Sequence, residues 1–363
     1  MKYAHPDRLL VGRSDGSIVA VPFDPAALRV TGAPVRVLGG MRVGTWSTVG
    51  QFAVSSNGRL VAVTRGGVGV PPAEPVRVTR AGTVTPVRSA WVEAFQSIAL
   101  SPDGRGVAVG LYTLNSEEVE VRDLTSGAVR RIAVPGAQVR YPAFSRDDRW
   151  LLVSALGPGV SGVYRLPLRT AGAPERWLPF DDPEEWPSRP NLSADGRTLY
   201  YTRGGSGSPG LRARAVGDTA GDEEVVVPDG WDPAVSADGR WLAYMSSEAG
   251  QSEIWVRSTD PTRFERWPIS SGIELKSPLA RWSRDGRELL FMGTDSVWAV
   301  AVTGDATFTV GARRGLVASD PFVGDFDVYP NGDLLMLRSR PGGGATELTM
   351  IEDWRSALVR DRE

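Results

Sequence analysis

One short motif recurs along almost the whole chain and limits its folding more than any other feature. It is a turn of the form Ser-x-Asp-Gly-Arg set between two apolar runs. It occurs at Ser55 to Arg59 (as Ser-Ser-Asn-Gly-Arg), Ser101 to Arg105, Ser145 to Arg149, Ser193 to Arg197, Ser236 to Arg240 and Ser283 to Arg287. A seventh copy, Tyr329 to Asp333, reads Tyr-Pro-Asn-Gly-Asp. The turn glycine or its equivalent falls at positions 58, 104, 148, 196, 239, 286 and 332, so the units are 43 to 48 residues long. Asp or Asn takes the right-handed bend, and Gly takes the positive φ that completes a short hairpin. Asp148 alone replaces the glycine, and Asp is one of the few other residues that tolerate that conformation.

After each turn comes a second apolar run: Leu60 to Val63, Trp150 to Val153, Leu199 to Tyr201, Trp241 to Tyr244 and Leu289 to Met292. Alternating third runs come next at Glu118 to Val121, Val163 to Leu168, Glu253 to Arg257 and Val297 to Val302. Fourth runs lie at Val129 to Val134, Arg176 to Leu178, Glu224 to Val227 and Arg266 to Ile269. Four short antiparallel strands per unit predict an all-β chain, a β-propeller of four-stranded blades. The 363 residues hold about eight such units. Eight blades are therefore expected, roughly 1–40, 41–88, 89–134, 135–180, 181–228, 229–270, 271–315 and 316–351, in one domain. A seven-bladed ring with residues 1–30 outside it is the alternative. In the last unit, Phe326 to Tyr329, Leu334 to Leu337 and Glu347 to Ile351 read as first, second and third strands. A short C-terminal helix over 352–360 then replaces the fourth, with Ile351, Trp354 and Leu358 on one face.

Charge narrows the partners. Lys plus Arg total 41 against 43 Asp plus Glu, a net charge of −2, so no general attraction to nucleic acid or anionic membrane is expected. No run approaches 18 apolar residues, and Met1 to Leu10 is charged where a signal peptide needs an apolar core, so membrane insertion by this chain is not expected. The chain has no cysteine and one histidine, His5. Thiolate chemistry and a histidine-based metal site are excluded, and a Ser-His-Asp set is possible only if His5 serves.

The Ser-Pro-Asp-Gly-Arg turns resemble those of WD-like, TolB-like (PD40-type) bacterial propellers over nearly the whole chain. Leu9 to Gly32, with its Ser-Asp-Gly-Ser-Ile-Val-Ala-Val-Pro-Phe-Asp run, looks like the propeller attached to membrane-bound bacterial serine/threonine kinases. Phe326 to Asp333 and the Asp353-Trp354 ending are similar to that family's C terminus. The resemblance implies a sensor or scaffold propeller, extracytoplasmic if the chain is a fragment of such a kinase and otherwise cytoplasmic. The kinase machinery itself has no match: a glycine-rich loop with its strand lysine, a His-Arg-Asp loop and an Asp-Phe-Gly are all missing.

Other candidate chemistry is sparse. Asp181 to Glu185 and Asp222 to Glu224 are the densest acidic runs and read as solvated loops. Gly66 to Gly69 and Gly204 to Ser208 read as loops, since no helix comes after the first and the second ends in Ser. No cofactor is indicated. Trp150, Trp241, Trp255, Trp282 and Trp298 fall in strands and read as packing. Trp46, Trp186 and Trp231 lie instead in connections leading into first strands, where a propeller's tunnel opens. The same positions hold Phe95, Gln96, Arg140, Tyr141, Arg189, Asp232, Lys276 and Asp325. That mixture suits a protein, a peptide terminus held by Arg140 and Arg189, or a small polar ligand, bound without catalysis. The alternative is a carboxylate- and metal-dependent hydrolase or lyase acting on a sugar or lactone.

Overall fold

The computed structural model describes residues 2–4, 7–13, 16–41, 52–55, 57–64, 72–112, 117–170, 172–205, 210–216, 223–304, 307–340, 347–356 and 358. The chain divides into two compact units, Ala73–Ser339 and the pair of segments Met1–Pro72 and Arg340–Glu363. Strands dominate both, and eight antiparallel sheets form, the number that the repeat implies. No helix is long and apolar enough to cross a membrane among the described residues.

Ala73–Ser339 holds six four-stranded sheets. Blade 1 runs through Phe95–Leu100, Gly106–Tyr112, Glu117–Asp123 and Val129–Ile132. Blade 2 uses Gln138–Phe144, Trp150–Leu156, Gly162–Pro167 and Glu175–Pro179; blade 3 uses Glu185–Leu192, Thr198–Gly205, Gly210–Ala215 and Glu224–Val227. Blade 4 is Gly230–Val235, Trp241–Ser246, Glu253–Ser258 and Arg266–Pro268, and blade 5 is Leu275–Trp282, Glu288–Gly293, Ser296–Gly304 and Phe308–Ala318. The first strand of each blade touches the first strand of the next, and Phe322–Val328 of blade 6 touches Phe95–Leu100 of blade 1. The contact cycle therefore closes, and these six first strands line the centre of a propeller. The repeat count matches the number of sheets in the whole chain, while the ring closed by Ala73–Ser339 itself takes six.

Blade 6 departs from the expected pairing. Its first two strands, Phe322–Val328 and Leu334–Ser339, are continued in space by Ala73–Val78 and Val84–Pro86 from the other end of the unit. The register runs from Leu334↔Val78 to Ser339↔Ala73. Glu347–Ile351, expected as the third strand here, pairs with Leu60–Thr64 instead. The physical gain is that blade 6 borrows strands from the opposite end of the unit, which ties its two ends together across the ring.

Each blade buries both faces, and six apolar clusters fill the six gaps between neighbours. The second strand of blade 2 shows why its apolar run is continuous: Leu151 and Val153 pack towards blade 1, while Leu152 packs towards blade 3. Blades 4 and 5 meet through Ala243, Ile254, Trp282 and Phe291. Blades 6 and 1 meet through Leu335, Leu337, Ile98 and Val109. An alternating strand would leave one of these gaps unfilled.

The other unit contains a five-stranded sheet and a three-stranded one. The first is Lys2–Ala4, Arg8–Gly12 and Ile18–Asp24, with Arg29–Val30 and Val35–Leu38 both pairing to Ile18–Asp24; the second is Glu347–Ile351, Leu60–Thr64 and Phe52–Val54. Their core contains Leu10, Ile18, Met41, Leu60 and Trp354. The expected C-terminal helix is a single 3-10 turn, Trp354–Ser356, and of residues 357–363 only Leu358 is among the described ones. Ile351, Trp354 and Leu358 do pack into one core, as their spacing implies.

The recurring turns form as their residues dictate. In the first strand-to-strand turn of blade 1, the Ser101 hydroxyl donates to Asp103 (2.6 Å) and accepts from the Gly106 N–H (2.7 Å), while the Arg105 N–H donates to Asp103 (2.9 Å). Asp148 adopts φ 54°, so it occupies the glycine position as expected. The serine hydroxyl, then the backbone N–H, holds the Asp103 and Asp195 carboxyls below the ordinary value of 3.8. Asp285 is lowered mainly by Ser283, and for Asp147 and Asp238 the same bonds outweigh burial, which pushes upward. A depressed carboxylate contributes stability that is complete above its unfolded value and lost as pH falls through the folded one. The melting temperature is expected to decline as pH drops below about 4. In a variant with all five aspartates replaced by Asn, thermal melts recorded from neutral to acid pH should show a shallower decline over the same range.

Candidate ligand-binding channel

Four blades supply the centre of the Ala73–Ser339 ring from one register position. Counting back four residues from the Ser (or Tyr329) of each turn gives Ser97, Tyr141, Arg189, Asp232, Leu279 and Asp325. Each first strand is irregular near this point, with the register shifting between Arg140 and Ala143, Ser188 and Asn191, and Trp231 and Ala234. Tyr141, Arg189 and Asp232 adopt φ of 52°, 53° and 54°, a left-handed conformation that non-glycine residues rarely hold without compensation. Each is succeeded by a proline, Pro142, Pro190 or Pro233, which has no N–H to leave unpaired in the bulge. A bulge of this kind re-aims the side chain.

The result is a charged cluster on the axis. Arg189 of blade 3 reaches Asp325 of blade 6 at 2.6 Å, and these blades stand opposite each other in a six-membered ring. It also contacts Asp232 of blade 4 at 3.0 Å, and its guanidinium lies 4.4 Å over the Tyr141 ring of blade 2. Arg281 of blade 5 donates to the other Asp325 oxygen at 2.8 Å. Asp325 is only 1% exposed and also accepts the Phe326 N–H at 2.8 Å. Burial disfavours a charged Arg189, but Asp325 and then Asp232 outweigh it and hold the guanidinium protonated. Burial is the largest influence on Asp232 and pushes its carboxyl above the ordinary value, against the pull of Arg189 and Arg281.

Of the residues expected at the mouth, Tyr141, Arg189, Asp232 and Asp325 therefore meet. Arg189 is already engaged by two carboxylates, so it does not form a clamp with Arg140, which lies before the bulge and donates to Gln138. Phe95 is not a contact residue: it is buried, edge-on to Trp91 at 5.4 Å, within the cluster between blades 6 and 1. Gln96, Arg140, Trp186, Trp231 and Lys276 sit in the beginnings of their inner strands, before the central cluster. Trp186 is 40% exposed, its indole lying against Gly204, where a Cβ would sit 2.5 Å from the ring. Lys276 donates to the Ser319 carbonyl at 3.0 Å. Trp46 lies outside the described residues, as do His5, Gly66 to Gly69 and Asp222.

Several residues were missed. Two positions after the central layer, the same strand face carries Ala99, Ala143, Asn191, Ala234, Arg281 and Asp327. The three polar members stand out among alanines, a signal that register counting could have read. Asp327 accepts the Leu100 and Val328 N–H groups, both at 2.8 Å, and Asn191 accepts the Val235 N–H at 3.2 Å. The acidic runs are also less solvated than their composition suggests. Glu185 is buried in blade 3 and pairs with Arg203, while Glu223 contacts Arg203, Arg212 and Tyr201. Among the described residues no group of three or more His, Asp or Glu side chains is placed to hold a metal ion.

Comparison with known proteins agrees on architecture. A structure described as TolB from Agrobacterium tumefaciens superposes with a TM-score of 0.54 at 18% identity, covering 75% of this chain and 99% of that one. TolB from Acinetobacter baumannii gives 0.50 at 14% identity, covering 94% of this chain and 80% of that one. The chain thus has a TolB-like propeller fold, and likeness at this level of identity speaks to the fold alone. No family model matches the chain, and no curated protein does.

Removing Arg189 would leave Asp325 and Asp232 buried with less compensation. Arg189→Ala is expected to destabilise the ring by about 3–5 kcal/mol, the cost of orphaning a buried charge. Denaturant melts of Arg189→Ala and of Arg189→Ala combined with Asp325→Asn check this, the second change restoring part of the loss.

Proposed function

We propose that the chain is a non-catalytic binding propeller, a sensor or scaffold module of the kind its N-terminal resemblance implies. It engages a protein, peptide or small polar ligand where the inner strands begin. The observation that carries this reading is the pairing of the channel carboxylates. Asp325 gives both oxygens to arginines, and Asp232 faces Arg189. To ligate an ion or shuttle protons, these groups would have to surrender their partners in a buried place where a lone charge is costly. The arginines instead make the centre a charge-compensated plug, and recognition falls to the residues at its end. Gln96, Arg140, Trp186, Trp231 and Lys276 offer there an exposed aromatic face, donors and a cation, a set suited to a polar or acidic partner.

The test is a screen of peptides, glycans and cell-wall fragments, read as a rise in melting temperature. A ligand at a hundred times its Kd stabilises the native state by about 2.7 kcal/mol. Arg140→Ala with Trp186→Ala should abolish the rise while leaving the ligand-free melting temperature within a few degrees of the parent. Turnover of a lactone or sugar substrate that requires a divalent cation and is lost in Asp325→Asn would overturn the binding reading in favour of a hydrolase or lyase.

A further inference from the structure

Where the inner strands end, on the side of the strand-connecting turns, the Ala73–Ser339 ring holds a partly open cavity of about 150 Å3. Apolar side chains, Ala99, Pro142, Pro190, Pro233 and Trp282 among them, line it beside charged and polar ones, and polar groups make up most of its exposed surface. Its charges are unequal: Arg146, Arg189, Arg281 and Arg284 line it against one carboxylate, Asp327. Arg189 and Arg281 are consumed by the Asp232 and Asp325 pairs. Asp327 commits both oxygens to backbone N–H groups.

Arg146 and Arg284 are left. They are the variable residues of the Ser-x-Asp turns in blades 2 and 5, which face each other across a six-membered ring, so both belong to the cavity's wall from opposite sides. No hydrogen bond or ion pair reaches Arg146 among the described residues. Asp238, whose charge it feels, is bonded to Arg240 at 2.7 Å. Arg284 donates from Nη2 to the Leu100 and Ser101 carbonyls at 3.2 and 3.3 Å, and its buried Nε has no partner. Burial first, and then the charge of Arg284, lowers the proton affinity of Arg146, as expected of two guanidiniums brought near each other without an anion. With the internal pairs set aside, two cations face one aspartate, an excess of a single positive charge. A monoanion balances it, whereas a multiply charged anion would also meet the fixed charge of Asp327.

We propose that this cavity binds a carboxylate, of a small organic acid or of a peptide C terminus, between Arg146 and Arg284. The guanidinium fork matches the two carboxylate oxygens. A space of 150 Å3 has room for about five waters' worth of ligand, enough for the terminal group of a longer molecule or for the whole of a short acid. The site lies at the opposite end of the inner strands from Arg140 and Trp186, so it goes beyond the function proposed above and stands or falls separately from it.

The experiment is isothermal titration of the full chain with acetylglycine, with the tripeptide Gly-Ala-Ala, and with the C-terminal amide of each. Inorganic phosphate is titrated alongside. The acids should bind at least about tenfold more tightly than their amides and than phosphate, and less tightly as salt is raised. A tighter tripeptide than acetylglycine identifies a chain terminus as the ligand, and the reverse identifies a small acid. Arg146→Gln with Arg284→Gln should weaken the acid at least about tenfold, while Arg140→Ala with Trp186→Ala leaves it unchanged. Because Arg284 supports blade 1 carbonyls, Arg146→Gln alone decides the matter if the double variant fails to fold. The proposal is overturned if acid and amide bind equally, if phosphate binds more tightly than the acids, if no acid binds with a Kd below about 10 mM, or if a folded Arg146→Gln variant binds the acid as the parent does.

Discussion

A blade of this ring cannot be stable by itself. Its middle strands are apolar on both faces, as Leu151, Leu152 and Val153 show, and each face finds its partner only in the neighbouring blade. A linear stack would leave the two terminal blades with an uncovered face, so the requirement is met without remainder only when the stack closes. Closure depends on Ala73–Val78 pairing with Leu334–Ser339 across the whole length of the unit. These strands are also where Val76 and Val78 enter the core between blades 5 and 6 and Ala73 the core between blades 6 and 1. The same pairing thus ties the two ends of the Ala73–Ser339 unit and completes two of the six gaps.

Closure brings six strands together at an axis, where side chains from opposite blades compete for one small space. The chain fills it with arginines and aspartates rather than with apolar groups. That arrangement carries a desolvation cost for each buried ion and about 1–3 kcal/mol for each left-handed residue at Tyr141, Arg189 and Asp232. Charge-assisted bonds from two arginines, one to each Asp325 oxygen, and stacking of Arg189 on Tyr141 offset part of that cost. An ion-paired centre also specifies which blades face each other, since Arg189 meets Asp325 only if two blades separate them on either side. On the turn side of this plug the compensation is incomplete, and Arg146 and Arg284 remain over the cavity.

The repeat and its strands were legible because their causes are local. Serine-capped Asp-Gly turns, alternating runs and continuous apolar runs each report a hydrogen bond or a burial pattern within a few residues. Even Asp148 in the glycine position could be read from side-chain chemistry alone. The candidate site's geometry was legible in part. Tyr141, Arg189, Asp232 and Asp325 were singled out as polar residues in connections leading to first strands, and they do converge. Phe95 was misplaced because an aromatic before a strand looks the same whether it faces solvent or packs on Trp91. Arg281 and Asp327 were passed over because their significance lies in register, two residues beyond the central layer.

The order of residues by itself determined that this chain would make antiparallel sheets, about eight of them at a period of 43 to 48 residues, joined by tight turns, and that no thiol chemistry would arise. Only the tertiary structure decided how those units close. Glu347–Ile351 and Ala73–Val78 both read as short strands able to pair beside Leu334–Ser339, and which one completes blade 6 depends on faces buried hundreds of residues away. The partners of Arg189 were likewise decided at the axis, because ring closure, rather than any local preference, sets which opposite strands come within reach.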